Sequence, residues 1–258
     1  MNPSDIRAAA ITLAARRLSG TQGPLLADAQ APQTLADALA VQQAVSGLLN
    51  DAIGGWKCGL PDGDKTVAAP IYATTIHASS IHSAAPCPVW LRDGAVRVEP
   101  ELAFVFDGGL PLRAEPYTEA EIRAAITRVH LALELIDSRY QPVPKPSFLQ
   151  SLADGLVNQG LLLGPQVDRD AAFAANVLEL VLNQGEREES LAGVHPAGDP
   201  LAPLYWLQGF LAARGEAILP GQVVITGSYA GVLTLAPDSE ATLRYGELGQ
   251  LSACFSAR

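Results

Sequence analysis

The sequence has few cysteines, no long apolar run and no concentration of positive charge. Its three cysteines, Cys58, Cys87 and Cys254, are an odd number, lie far apart and form no CxxC pair. That spacing excludes a disulfide framework and points to reduced thiols in a cytoplasmic protein. No apolar stretch approaches the about 18 residues that a membrane-spanning helix requires. The opening segment MNPSDIRAAAITLAARRLSG carries Asp5 and Arg7 ahead of its apolar part. It reads as an amphipathic helix and not as a signal peptide. Basic residues are scattered singly, apart from Arg16 and Arg17, and 27 acidic against 17 basic residues give a formal net charge of -10. Such a chain repels phosphate backbones and anionic surfaces, so neither nucleic acid nor a membrane is expected as a partner. An anionic substrate would need a local cation to overcome that field. Internal repeats and low-complexity tracts are missing as well.

What is present is material for a core. Of the 258 residues, 48% are apolar, which excludes global disorder and fits one large domain or two small ones. Ser4 is positioned to cap a helix ending near Gly20, and TLAD at 34–37 reads as a capping box opening a helix to about Asn50. After residue 54 the texture turns extended: GGWKCGL, PIYATTIHAS, PCPVWL and residues 95–106 read as strands. Thr118 and Glu121 form a second capping-box pattern, for a helix to about Arg128 that runs into a strand over HLALELIDS. GLLLG, NVLELVLNQGE, PGQVVITGS, GVLTLAP and ATLRYGELGQLSACFS add strands, and PLAPLYWLQGFLAARG adds a helix stopped by Gly215. The expected organisation is a helical region over 1–53 and a β-rich body over 54–258, forming one compact α+β unit. Helices and strands do not alternate regularly, which disfavours a doubly wound sheet or a (β/α) barrel.

The stretch RVEPELAFVF poses a chemical question. In a strand, Glu99 and Glu101 point to the same face with backbones about 7 Å apart, ahead of Ala103 and Val105, while Leu102, Phe104 and Phe106 face the other way. Two such acids raise each other's pKa unless something positive lies between them, and a hard divalent cation fits that gap. The plain alternative is an exposed strand end with two solvated acids. Pro100 between them cannot donate to a ladder, so the strand is expected at an edge or distorted there. LALELIDSRY supplies Glu134 and Asp137 as further acids in apolar surroundings, with Asp137 also able to pair simply with Arg139. Lys57 sits in the glycine-flanked strand GGWKCGL. Beside a metal site it could hold a substrate carboxylate or move protons; otherwise its ammonium snorkels to the surface. Of the histidines, His77 and His82 lie where a loop meets a strand and His77 is named as a catalytic candidate; His130 and His195 are less suggestive.

Taken together and in order, GWKCGL, VEPELAFVF, ALELIDSRY and GQVVITGSYAGVL resemble the 2-keto-4-pentenoate hydratase and 4-oxalocrotonate decarboxylase family, within the fumarylacetoacetate hydrolase superfamily. HPAGDPLAPLYWL and GELGQLSACFS extend the resemblance over nearly the whole chain. The resemblance implies a fumarylacetoacetate-hydrolase-like mixed β-roll with a helical N-terminal region, its catalytic domain over 54–258. It implies Mg²⁺ or Mn²⁺ held by Glu99, Glu101 and Glu134, and a functional lysine at Lys57. Asp137 and Arg139 fall on the DSR that commonly follows the third ligand. Many members carry DNAS before the next apolar strand; here ADGLVNQGLLLG keeps Asp154 but not Asn-Ala-Ser, with Asn158 as a spatial substitute. Asp137, Arg139, Asp154, Asn158 and Lys57 are thereby implied in substrate binding.

The implied substrates are small 2-hydroxy-dienoates or their 2-keto tautomers from aromatic degradation, with the metal as Lewis acid. Hydration ranks ahead of decarboxylation, and hydrolytic cleavage third, because no His–acid dyad stands out. The altered DNAS segment motivates a different reading, a weakly active partner of a related hydratase or decarboxylase. The resemblance also implies a homo-oligomer.

Overall fold

The computed structural model describes residues 1–63, 65–79 and 86–258; His82 lies outside them. The chain opens with α1 (Pro3–Ser19) and α2 (Leu35–Leu49). Then follow β1 (Ile53–Asp62), β2 (Lys65–Tyr72), β3 (Ile76–Ala78), β4 (Cys87–Val89) and β5 (Val96–Phe106). The middle of the chain forms α3 (Glu119–Ala125), β6 (Arg128–Ile136), α4 (Phe148–Ala153), β7 (Asn158–Val167) and α5 (Arg169–Phe173). The hairpin β8 (Val177–Gln184) and β9 (Arg187–Val194) leads to α6 (Ala202–Ala213). The chain closes with β10 (Gln222–Ile225), β11 (Leu233–Leu235), β12 (Ala241–Tyr245), β13 (Gly249–Ala253) and β14 (Phe255–Ala257).

The local signals act as their chemistry dictates, with some differences. Thr34 and Asp37 close a capping box at the start of α2, and Thr118 and Glu121 close another at α3. The cap of α1 is Asn2, whose side chain accepts from the Asp5 N–H; Ser4 instead donates to Asn2. α3 stops at Ala125, three residues earlier than expected, because Ile126 and Val129 are drawn into the core and β6 begins at Arg128. β9, α4 and α5 are further elements without an obvious sequence signal; β9 is largely exposed and reads as polar.

One mixed sheet dominates, in the order β2-β1-β10-β5-β6-β7-β3, with β11 also paired to β5. The pairs β1–β10 and β3–β7 are parallel and the rest antiparallel. A second sheet runs β13-β12-β8-β9, and β14 pairs with β4. The main sheet is curled. Ile71 on β2 and Leu161 on β7, near opposite ends of the strand order, share one buried cluster with Ala103, Val105, Ala132 and Ile225. The other face carries Leu102, Phe104, Phe106, Leu131 and Leu133 into the main core, together with Leu204, Leu207 and Leu211 of α6. The predicted two faces of β5 are therefore realised. Gly55 lets β1 approach β10, since a Cβ there would lie 2.2 Å from the Val223 carbonyl oxygen.

Pro100 is not at an edge. β5 lies in the middle of the sheet, with Pro100 opposite Leu133 on β6. On its other side the ladder is interrupted: β10 pairs with residues 103–106 and β11 with residues 96–98. Pro100 faces that gap, where its carbonyl accepts from Tyr229 N–H at 3.0 Å, so its missing donor breaks no ladder bond. The helices α1 and α2 form a third cluster through Ala10, Leu13, Ala38 and Val41, closed by Tyr140 and Leu152. Gln42 ties α2 down by donating to the carbonyls of Ala68 (3.2 Å) and Leu152 (2.8 Å).

Candidate active site

Glu99 and Glu134 stand directly opposite each other on β5 and β6, and Glu101 follows two residues later on the same face. One carboxylate oxygen from each acid lies within 4.8 Å of the other two. Glu101 is 2% exposed and Glu134 0%, so these are not solvated acids at a strand end. Lys57 reaches them from β1. Its Nζ lies 2.7 Å from Glu134 Oε1 and 2.8 Å from Oε2, and donates to the Leu156 carbonyl at 3.1 Å. The turn presenting that carbonyl is unusual: Leu156 and Val157 both have left-handed backbone, φ 51° and 61°, which a β-branched residue avoids.

One ammonium does not neutralise three converging carboxylates, two of them buried and Glu99 half-buried. Burial, then repulsion from Glu134, pushes the Glu99 carboxyl up to about 7. The same causes push Glu101 well above the ordinary carboxylate range. For Lys57, burial favours the neutral amine, but Glu134, Glu99 and Glu101 outweigh it and hold the pKa above its ordinary value. An excess of converging, desolvated oxygen donors matches what a hard divalent cation requires. The residues present thus fit such an ion, with Glu99, Glu101 and Glu134 as the donors.

Neighbouring groups fix these donors. Gly227 N–H donates to Glu101 Oε2 at 2.6 Å. Gly227 has φ 136°, and a Cβ there would lie 2.5 Å from Pro196 Cγ, so glycine alone fits between Glu101 and Pro196. Asn158 Nδ2 donates to Glu134 Oε1 at 2.9 Å and to the Gly160 carbonyl at 3.2 Å. Both acceptors are oxygens, which fixes the orientation of the amide. Its Oδ1 is buried with no partner.

A cleft of about 580 Å³ opens over the acids, walled by Lys57, Glu99 and Glu101 with Leu60, Val67 and Pro196. Thr226 also lines it, and behind Thr226 stands His195, a residue the sequence ranked low. His195 Nδ1 accepts from Ala197 N–H at 3.2 Å, so its proton sits on Nε2, 3.2 Å from Thr226 Oγ1. Burial lowers its pKa to about 4, and its ring packs edge-on against Tyr229. The sequence signal for it was its place in HPAGDPLAPLYWL.

Other candidates are placed elsewhere. Ile76, Leu161 and Glu134 align across β3, β7 and β6, so His77, one residue on, points to the opposite face from the acids. It is not in the cleft wall, and burial lowers its pKa. Asp137 does not pair with Arg139. Its carboxylate takes a bidentate pair from Arg92, Nε to Oδ1 at 2.6 Å and Nη2 to Oδ2 at 2.7 Å. Arg139 Nε instead binds Asp154 Oδ1 at 2.6 Å, while its Nη1 donates to the carbonyls of Asp137 and Asn158. Asp137, Arg139 and Asp154 are thus buried in ion pairs and absent from the cleft wall. Of the five substrate-binding candidates, Lys57 reaches the cleft directly and Asn158 touches Glu134, the buried member of the acid cluster.

No family model matches the chain. A 4-oxalocrotonate decarboxylase of Pseudomonas sp. strain CF600 is 31% identical over 160 residues, 62% of this chain and 60% of that relative's length. The 2-oxo-hept-4-ene-1,7-dioate hydratase of Escherichia coli is 26% identical over 236 residues, 86% of this chain and 87% of the relative. Among solved structures, 4-oxalocrotonate decarboxylase from Pseudomonas putida G7, complexed with magnesium and adipate, superposes with a TM-score of 0.77. That match is 23% identical and covers 99% of both chains. No helix among the described residues is long and apolar enough to cross a membrane. The resemblance read from the sequence is borne out: the chain is a relative of 4-oxalocrotonate decarboxylases and 2-oxo-enoate hydratases, with the fold of fumarylacetoacetate hydrolase family proteins.

Proposed function

We propose that this chain is a divalent-metal-dependent lyase that hydrates 2-keto-4-pentenoate-type acids, or their 2-hydroxy-dienoate tautomers, in the breakdown of aromatic compounds. The observation that carries this reading is the convergence of Glu99, Glu101 and Glu134 from two strands, with Lys57 beside them and with Glu99, Glu101 and Lys57 lining one cleft. Mg²⁺ or Mn²⁺ suits this oxygen-only donor set, and when bound it supplies Lewis-acid stabilisation of negative charge developing on the C2 oxygen of a 2-oxo acid.

The chain's own residues have separate tasks. Glu99, Glu101 and Glu134 hold the cation. Lys57 Nζ holds a proton at the edge of the donor set, where it meets a substrate carboxylate or passes that proton to the substrate carbon chain. Asn158 and Gly227 keep Glu134 and Glu101 aimed. His195, neutral near pH 7, orients the Thr226 hydroxyl on the cleft wall.

Decarboxylation of a 4-oxalocrotonate-type acid is the second reading, favoured by the similarity to the Pseudomonas decarboxylases. A weakly active partner subunit is the third, motivated by the altered DNAS segment and opposed by the complete acid cluster. The test is an assay of the purified chain alone, with Mg²⁺, on a panel of 2-hydroxy-dienoates, followed for both hydrated product and CO₂. Hydrated product lost in Glu101→Gln supports the proposal. CO₂ as the main product selects the second reading, and no turnover without an added relative selects the third.

A further inference from the structure

The cleft wall carries one cation among the described residues, Lys57, and that ammonium is already shared between Glu134 and the Leu156 carbonyl. The other charged side chains on the wall are Glu99, Glu101 and Asp62, all acidic. The remaining side chains are apolar or small, with the Thr226 and Ser228 hydroxyls as the neutral polar exceptions. Lys65 stands opposite Asp62 across the β1–β2 hairpin, but it lines a separate recess with Gln33, Thr34 and Phe148.

This distribution bears on which 2-oxo acid fits, and it rests on the reading of the site proposed above. One carboxylate can be placed near Lys57 and the acid cluster's cation. A second carboxylate at the far end of the substrate would enter a cleft whose described residues offer it no free positive group. It would face Asp62 and apolar side chains in a chain whose net charge is -10. Burying a carboxylate without a partner is unfavourable, and an unpaired charge is an effective device for rejecting the wrong ligand. The named relatives include enzymes of diacids: 4-oxalocrotonate and 2-oxo-hept-4-ene-1,7-dioate each carry two carboxylates, as does adipate. We propose that the cleft of this chain is selective for 2-oxo acids with a single carboxylate and a short uncharged tail, and that Asp62, with no second cation among the described residues of the wall, excludes the corresponding diacids.

The test is calorimetric binding of unreactive saturated analogues to the full chain in excess Mg²⁺, with 2-oxopentanoate as the monoacid and 2-oxoadipate as the diacid. The monoacid is expected to bind at least about fivefold more tightly, with the gap narrowing at high salt. Asp62→Lys is expected to shift the ratio of the two affinities toward the diacid by about threefold or more. Equal or tighter binding of 2-oxoadipate to the unaltered chain would overturn the proposal while leaving a working 2-oxo-acid site. An unchanged ratio in Asp62→Lys would remove Asp62 as a selector. Binding of neither analogue, while Mg²⁺ still binds, would overturn the functional reading itself.

Discussion

Lys57 Nζ contacts both carboxylate oxygens of Glu134, at 2.7 and 2.8 Å, although β10 and β5 lie between the strands that carry the two residues. The curl of the sheet makes this possible by turning both side chains into the same concave space. Among the described residues, the pair is also the one ion pair inside an otherwise acidic cluster. Glu134 is fully buried, so removing its partner strands a carboxylate in a low-dielectric site. Lys57→Met is therefore expected to lower the stability of the metal-free protein by about 2–4 kcal/mol. Mg²⁺ should restore much of that loss by taking over the neutralising role. Thermal melts with EDTA and with Mg²⁺ check both statements; a variant as stable as the parent in EDTA would contradict the first.

Glu101 is held differently, by a backbone N–H and not by a cation. Glu101→Gln keeps the shape of the side chain but removes one charged oxygen donor. Mg²⁺ affinity should fall by about tenfold or more, roughly 1.4 kcal/mol, and turnover of the dienoate should disappear. The metal-free fold should survive, since the change relieves repulsion from Glu134 and Glu99. Titration calorimetry and melts separate these effects.

The raised carboxyl pKa values give metal binding a pH dependence with a definite sign. Burial and mutual repulsion push the Glu99 carboxyl up to about 7 and raise Glu101 well above the ordinary carboxylate range, so at neutral pH protons compete for the donor set. An ion that needs the carboxylates must displace those protons, and its apparent affinity rises as pH increases through 7. Folded-state pKa values above the unfolded ones mean that these two acids stabilise the metal-free fold most at low pH. They lose that contribution as pH rises through their folded values. The increase in Tm caused by Mg²⁺ should consequently be larger at pH 8 than at pH 6. Calorimetry at pH 7 in buffers of different ionisation enthalpy should detect proton release.

Several of these features were legible before the structure. Alternation along VEPELAFVF is enough to put Glu99 and Glu101 on one face, because that face continues into Ala103 and Val105 while its opposite enters the main core. The capping boxes at Thr34 and Thr118 are equally local. Where reasoning from neighbours failed, the deciding partner was distant. Pro100 looked like an edge residue, yet it is accommodated by a gap between β10 and β11, more than 120 residues later in the chain. Asp137 seemed paired with nearby Arg139, but the curl delivers Arg92 from 45 positions away. His195 comes from the loop after β9, a strand too polar to announce itself, and reaches Thr226 only once the sheet has closed.

Arg139 offers a direct check on whether its ion pair supports the fold or the ligand. Both Arg139 and Asp154 are almost fully buried and pair with each other. Arg139→Met removes one partner of a buried pair, which typically costs about 3–5 kcal/mol. The expected result is a large drop in Tm, with KM for the dienoate nearly unchanged in the fraction that remains folded. A KM raised tenfold in a variant of parental stability would return Arg139 to the substrate.

Asn158 supports Glu134 by donating to Oε1, an oxygen it shares with Lys57. Its Nδ2 fixes Oε1, and a second N–H spent on the Gly160 carbonyl keeps the amide from rotating. Groups that orient a metal-ligating carboxylate typically matter by about 10- to 100-fold in metal affinity. Asn158→Ala should therefore weaken Mg²⁺ binding by about tenfold or more, although the residue is not itself a candidate donor to the ion. The accompanying loss of stability should be modest, about 1 kcal/mol for the hydrogen bonds removed, because the orphaned Oδ1 disappears with the amide. Mg²⁺ titration beside a denaturant melt of the same variant distinguishes this orienting role from simple loosening of the fold. Weakened metal binding without a matching fall in stability is the pattern expected of a group that acts through Glu134.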